Sequence, residues 1–195
     1  MKKLNFIIKY GLALLLLSFY SCESWLNVTP SDRLSEEMLF NDREGFVKAL
    51  NGVYIELNTN ELYGRNLTAG ALDVMGQYYS VASSSHAFYN YGGLVYTGND
   101  EKALFDNMWQ KCYAVIACCN TIIEKCDENK AGLSPVWRGS IKGEALALRA
   151  MLHFDMLRLF SASPAIDKER KAIPYLESYT NLPQHQLTVG AVLEK

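Results

Sequence analysis

The sequence lacks the residue groupings that usually announce chemistry. Its three histidines, His86, His153 and His185, have no metal-ligand spacing with one another. There is no nucleophile elbow, no phosphate loop and no dinucleotide fingerprint. Among the cysteines there is no CxxC, so neither a zinc site nor a thiol redox pair follows from them. The residues thus point to no catalytic group, no metal and no cofactor. Positive charge is also scarce. Formal charge is −2 over the whole chain, and it becomes −5 once Lys2, Lys3 and Lys9 are set aside with the leader described next. A mildly acidic domain argues against nucleic acid as a partner.

The first residues read as an address. Lys2 and Lys3 form a positive n-region, and Ile7–Tyr20 is apolar apart from Lys9, Gly11 and Ser18. That run is too short and wrongly flanked for a transmembrane helix, which needs about 20 apolar residues. Residues 1–21 are therefore expected to be a signal peptide. Ser21-Cys22 closes the run, and a small residue directly before a cysteine there suggests a bacterial lipoprotein signal. In that reading Cys22 carries palmitate and anchors the protein in the membrane through lipid alone. The alternative is ordinary signal cleavage, which leaves a free thiol. Residues 22–34 then form a tether and extended lead-in, with Trp25 and Leu26 as apolar anchors and Pro30 as a breaker.

From residue 35 onward the periodicity is helical, and the fold class expected is all-α. Asn41 or Asp42 can cap a helix whose face is Phe46, Leu50, Val53 and Leu57, ending near Asn58. Phe105, Met108, Cys112, Val115, Cys119, Ile122 and Cys126 alternate steps of three and four, which predicts a helix over 102–125. Cys112, Cys119 and Cys126 share one face about 10 Å apart, too far for a direct bridge, and read as small apolar knobs at a helix seam. Ser134-Pro135 opens the longest helical stretch, Val136–Phe160. Trp137, Ile141, Ala145, Leu148, Leu152 and Leu159 form its stripe, and Ala147, Ala150, Met151, Phe154 and Leu157 add apolar surface elsewhere, so burial nearly all round is expected. Joined by a short turn, the two long helices should pack antiparallel. Ile173-Pro174-Tyr175 reads as extended, and Thr188 caps a helix over 189–195. The chain stops inside that element, as an N-terminal fragment would.

Two sets of residues are candidates for function. Glu144 with Arg149, and His153 with Arg158, could form a buried acid–base set on the central helix; the plainer reading is hydrogen bonds and ion pairs that fix helix packing. The stronger candidate is the stretch 78–100, which has neither helical period nor hairpin signal and is read as a long ordered loop. It carries Tyr78, Tyr79, Tyr89, Asn90, Tyr91, Tyr96 and Asn99. Flat rings beside amide groups suit sugars, whose faces are apolar C–H and whose edges are hydroxyl.

Several residue groups in consistent order resemble the SusD/RagB family of outer-membrane lipoproteins of Bacteroidetes. They are Trp25–Pro30, Gly45-Phe46, Ala49–Tyr54, Trp109–Tyr113 with Ile116 and Cys119-Asn120, Gly143–Ala145, Leu148–Ala150, Phe154-Asp155, Ile173–Tyr175 and Thr188-Val189. The resemblance implies tetratricopeptide-like helix pairs over 35–195, forming the N-terminal part of a longer SusD-like domain. It implies non-catalytic capture of a glycan or other nutrient at the outer membrane, facing the exterior, in partnership with a SusC-like TonB-dependent transporter. The competing reading is a helical-repeat scaffold lipoprotein that binds only protein. Family members have a glycine-bearing turn where this chain has Ser161-Ala162-Ser163-Pro164, and the loop at 77–101 follows no family pattern.

Overall fold

A computed structural model of the chain describes residues 35–180 and 182–195. The signal peptide, the lead-in and Cys22 lie outside the described residues. In chain order the elements are α1 (Glu36–Leu39), α2 (Arg43–Leu57), α3 (Ala71–Met75), α4 (Tyr89–Gly92), α5 (Asn99–Glu128), α6 (Pro135–Phe160), β1 (Lys171–Pro174), β2 (Gln186–Thr188) and α7 (Val189–Leu193). The fold is α-rich, as the periodicity implied. No helix among the described residues is long and apolar enough to cross a membrane.

Local chemistry sets the helix starts. Asp42 caps α2, its Oδ1 accepting from the Gly45 amide at 2.8 Å. Gly45 is required there, because a Cβ would lie 1.5 Å from the Leu39 carbonyl oxygen. Ser134 caps α6 with proline at its first positions, and Thr188 caps α7 by accepting from the Ala191 amide. Asn129 ends α5 in the left-handed conformation and closes the turn by hydrogen bonds to both the amide and the carbonyl of Leu133.

Helices α5 and α6 run antiparallel. Lys142 meets Asp127 at 2.5 Å, Arg149 donates to Asn120 Oδ1 at 2.8 Å, and Cys112 Sγ approaches the Leu152 carbonyl at 3.9 Å. The seam is the expected stripe, with Met108, Cys112, Val115, Cys119, Ile122 and Cys126 buried against Ile141, Ala145, Leu148, Leu152 and Met156. The cysteines are free, and burial pushes the Cys112 and Cys119 thiols up to about 12. They are apolar knobs and not reactive groups. Helix α2 lies across this pair through Phe46, Leu50, Val53 and Leu57, and Arg43 sits over the Trp137 ring at 4.7 Å. The strands β1 and β2 form one antiparallel pair, registered Lys171 to Thr188 and Pro174 to Gln186 with an irregularity between.

One expectation fails. Helix α6 is not buried nearly all round: Val136, Trp137, Leu146, Met151 and Phe154 are exposed, and a Cβ at Gly139 or Gly143 would meet nothing within 4 Å. Apolar periodicity states which faces can be buried. Helices α2 and α5, β1 and α7 cover only one side. Helix α5 is also longer at both ends than 102–125, because Asp100 and Glu101 suit its first turn and Lys125 its last.

His153 ties α6 to the segment after β1. Its Nε2 accepts from the Leu176 amide at 3.0 Å, so the proton sits on Nδ1, which donates to the Arg149 carbonyl at 2.9 Å. The ring is buried and stacks on Tyr175 at 4.1 Å. Burial holds the imidazole down at about 4, against its ordinary 6.5. Between these values the unfolded chain binds a proton that the folded chain refuses, so stability falls as pH drops through that window. The loss expected is roughly 3 kcal/mol at most. Urea unfolding at pH 7 and pH 4 checks it: His153→Gln should be less stable at pH 7 yet lose less than the native chain between the two. Equal losses would show that His153 does not titrate in this window.

Candidate binding cleft of the aromatic loop

The acid–base set read on the central helix does not assemble. Glu144 accepts from the Tyr54 hydroxyl at 2.5 Å, and Arg149 reaches Asn120 and the Glu177 carbonyl. Asp155 accepts from Tyr63 at 2.5 Å and from Arg158 at 3.0 Å. Each of these groups ties α6 to another element or to its own next turn, which is the packing role. Among the described residues no group of three His, Cys, Asp or Glu side chains could hold a metal ion.

The aromatic loop divides into two layers. Tyr91 is only 2% exposed and makes edge contacts with Phe88 at 5.8 Å and Phe105 at 6.0 Å. Tyr96 meets Phe105 at 5.4 Å and an interplanar angle of 89°. These two rings fasten the loop to α5, and burial raises both phenols. The inner layer ties to the helix a second way. Asn90 Nδ2 donates to Glu101 Oε1 at 2.7 Å, and Gly98 leaves room for that carboxylate, since a Cβ there would stand 1.9 Å from Oε2. The Asn90 hydrogen bond holds the Glu101 carboxyl below its usual range, helped by its own backbone N–H.

The outer layer is a cleft of about 360 Å³, within the size range of small-ligand pockets. Tyr79, Tyr89 and Asn90 line it together with Gln77, Ser80 and the Gly92-Gly93 turn. Gln77 has φ 61°, and its Nε2 donates to the Gly92 carbonyl at 2.9 Å and the Val74 carbonyl at 3.3 Å. Leu94, just past the turn, has φ 54°. Non-glycine residues hold this conformation only where their surroundings impose it. The Tyr79 hydroxyl donates to the Ala69 carbonyl, which pins its ring to the turn before α3.

The sequence candidates thus separate. Tyr79, Tyr89 and Asn90 come together at the cleft. Tyr91 and Tyr96 face inward, Tyr78 stands 82% exposed outside the lining, and Asn99, the first residue of α5, is not part of the lining. Gln77, Ser80 and the double glycine were missed, although Gly92-Gly93 is a turn signal visible in the sequence. Replacing Tyr91 by alanine should cost about 3 kcal/mol of stability, the usual range for removing a buried ring. Thermal unfolding checks this; a change no larger than that of exposed Tyr78→Ala would contradict the inward placement.

A SusD-like family model, described as starch-binding and associating with the outer membrane, matches residues 24–195. A SusD-like protein of Formosa agariphila is 23% identical over 98% of this chain and 36% of its own length. A SusD-like carbohydrate-binding protein of Bacteroides vulgatus superposes with TM-score 0.64 at 23% identity, covering 79% of this chain and 33% of that one. A SusD superfamily protein of Bacteroides thetaiotaomicron gives TM-score 0.60 at 21% identity over 78% and 34%. The chain therefore spans about a third of the length of the relatives it matches.

Proposed function

Because the chain belongs to the SusD-like family, we propose that it is the N-terminal part of a non-catalytic lipoprotein that captures a glycan or similar nutrient at the outer membrane. In this reading Cys22 is the lipidated residue, the protein faces the exterior, and a SusC-like TonB-dependent transporter receives the ligand. One observation carries the binding role: the cleft brings Tyr79 and Tyr89 together with Asn90 and Gln77. Rings offer the flat apolar surface that sugar C–H faces need, and the amides offer hydrogen bonds to the hydroxyl edges. The aromatic layer beneath, from Tyr91 and Tyr96 onto Phe105, keeps that surface in place.

Calorimetric titration of the full chain with neutral oligosaccharides tests the cleft. Tyr79→Ala and Tyr89→Ala should each weaken binding about tenfold, the equivalent of one lost ring contact. Unchanged affinity in both variants would remove the cleft from the site. The open face of α6, with Trp137, Met151 and Phe154 exposed, favours the second reading, a scaffold that binds only protein. In that case no sugar would give heat.

The anchor has its own check. Cells fed labelled palmitate should incorporate it into the native chain and not into Cys22→Ser. Label in both would place the lipid elsewhere.

A further inference from the structure

The polar groups of the cleft differ in how firmly the fold holds them. Gln77 Nε2 has two acceptors, the Gly92 and Val74 carbonyl oxygens. A carbonyl can only accept, so the amide cannot be turned the other way round, and both of its N–H groups are committed. Its oxygen is left without a protein partner. Asn90 is fixed in the same manner, because Nδ2 points at the Glu101 carboxylate, which also only accepts while ionised. Its oxygen is left as well. The Tyr79 hydroxyl spends its hydrogen on the Ala69 carbonyl and keeps its lone pairs. Three lining residues therefore present acceptors whose orientation the fold dictates.

The donors are softer. The Ser80 and Tyr89 hydroxyls rotate to suit a ligand, and Asn90 keeps one N–H. No lysine, arginine or histidine lines the cleft. Glu101 lies directly behind Asn90, and Asp73 acts on the Tyr79 hydroxyl, while the Arg65 guanidinium is turned to the Phe88 ring and Asn66. Carboxylate and sulfate groups need charge-assisted donors or a cation to replace their lost hydration. Sugar hydroxyls need only an acceptor for their hydrogen.

We infer that the cleft is an acceptor-lined site that takes neutral, hydroxyl-donating glycans and turns away uronic and sulfated ones. This rests on the reading of the cleft as a glycan site and adds the chemical class of ligand. Positions 77 and 90 set the preference, through partners that lie outside the cleft.

Maltohexaose, cellohexaose and mannohexaose, each beside its uronate form oxidised at the primary alcohols and its sulfate ester, provide the test by calorimetry on the full chain. The neutral member of a binding pair should bind at least tenfold more tightly than either acidic form, with the gap widening at low salt because screening weakens. Ser80→Arg, at an exposed lining position, should raise the affinity for the acidic forms about tenfold relative to the neutral ones. An acidic form that binds the native chain as well as its neutral parent overturns the inference and leaves the glycan reading standing. No gain in Ser80→Arg overturns it too, since rejection would then not be electrostatic. No heat from any sugar overturns both.

Discussion

The antiparallel seam between α5 and α6 is the constraint on which the rest of the chain depends. Small and β-branched side chains on α5, Cys112, Val115, Cys119, Ile122 and Cys126, let α6 approach closely through Ile141, Ala145, Leu148 and Leu152. Each such buried aliphatic side chain contributes about 1.5–3 kcal/mol. The Lys142–Asp127 pair, with Asp127 exposed and Lys142 partly so, contributes about 1 kcal/mol at most. Packing holds the pair together, and the polar contacts set its register. That is why Asn120 and Arg149 matter more for alignment than for strength. Arg149 also reaches the Glu177 carbonyl, so one guanidinium aligns α5, α6 and the segment beyond β1.

The seam reaches the aromatic loop through rings. Tyr91 contacts Phe105, Phe105 contacts Phe160, Phe160 contacts Trp109, Trp109 contacts Tyr113, Tyr113 contacts His153 and His153 stacks on Tyr175. Four of these are edge-on contacts between 4.9 and 6.2 Å, a favoured geometry for rings. The line runs from the loop, along α5 and the end of α6, to the exit of β1. A loop with little regular hydrogen bonding thus rests on a surface that two long helices make rigid, and its outer rings inherit that rigidity.

What could be read from sequence follows the same division. The helices were legible because periodicity and capping agree: Asp42, Ser134 and Thr188 all cap where expected, and the α5 stripe is buried from Met108 to Cys126, with Phe105 half-buried. Burial all round α6 was misread, because apolar side chains show what a face tolerates and say nothing of whether a neighbour exists. The β1–β2 pairing went unseen since no tight turn joins strands that are four and three residues long. In the loop, no period distinguishes Tyr89 from Tyr91, two positions apart with opposite fates. That outcome is decided by Phe105, fifteen or so residues away, and by the left-handed backbone at Gln77 and Leu94, which neither residue type favours.

Hydrogen-bond satisfaction explains why the proposed binding role falls to the loop and not to the central helix. On α6 the polar side chains that the sequence singled out are used up internally: Glu144 by Tyr54, Asp155 by Tyr63 and Arg158, His153 by two backbone groups. A group so engaged has little left for a substrate. The loop is fastened by the same kind of bond but only from one side. Gln77, Asn90 and Tyr79 each give hydrogens inward and keep an oxygen outward. Fastening a loop by its donors leaves a surface of acceptors, so the bonds that order the cleft also choose what it can hold.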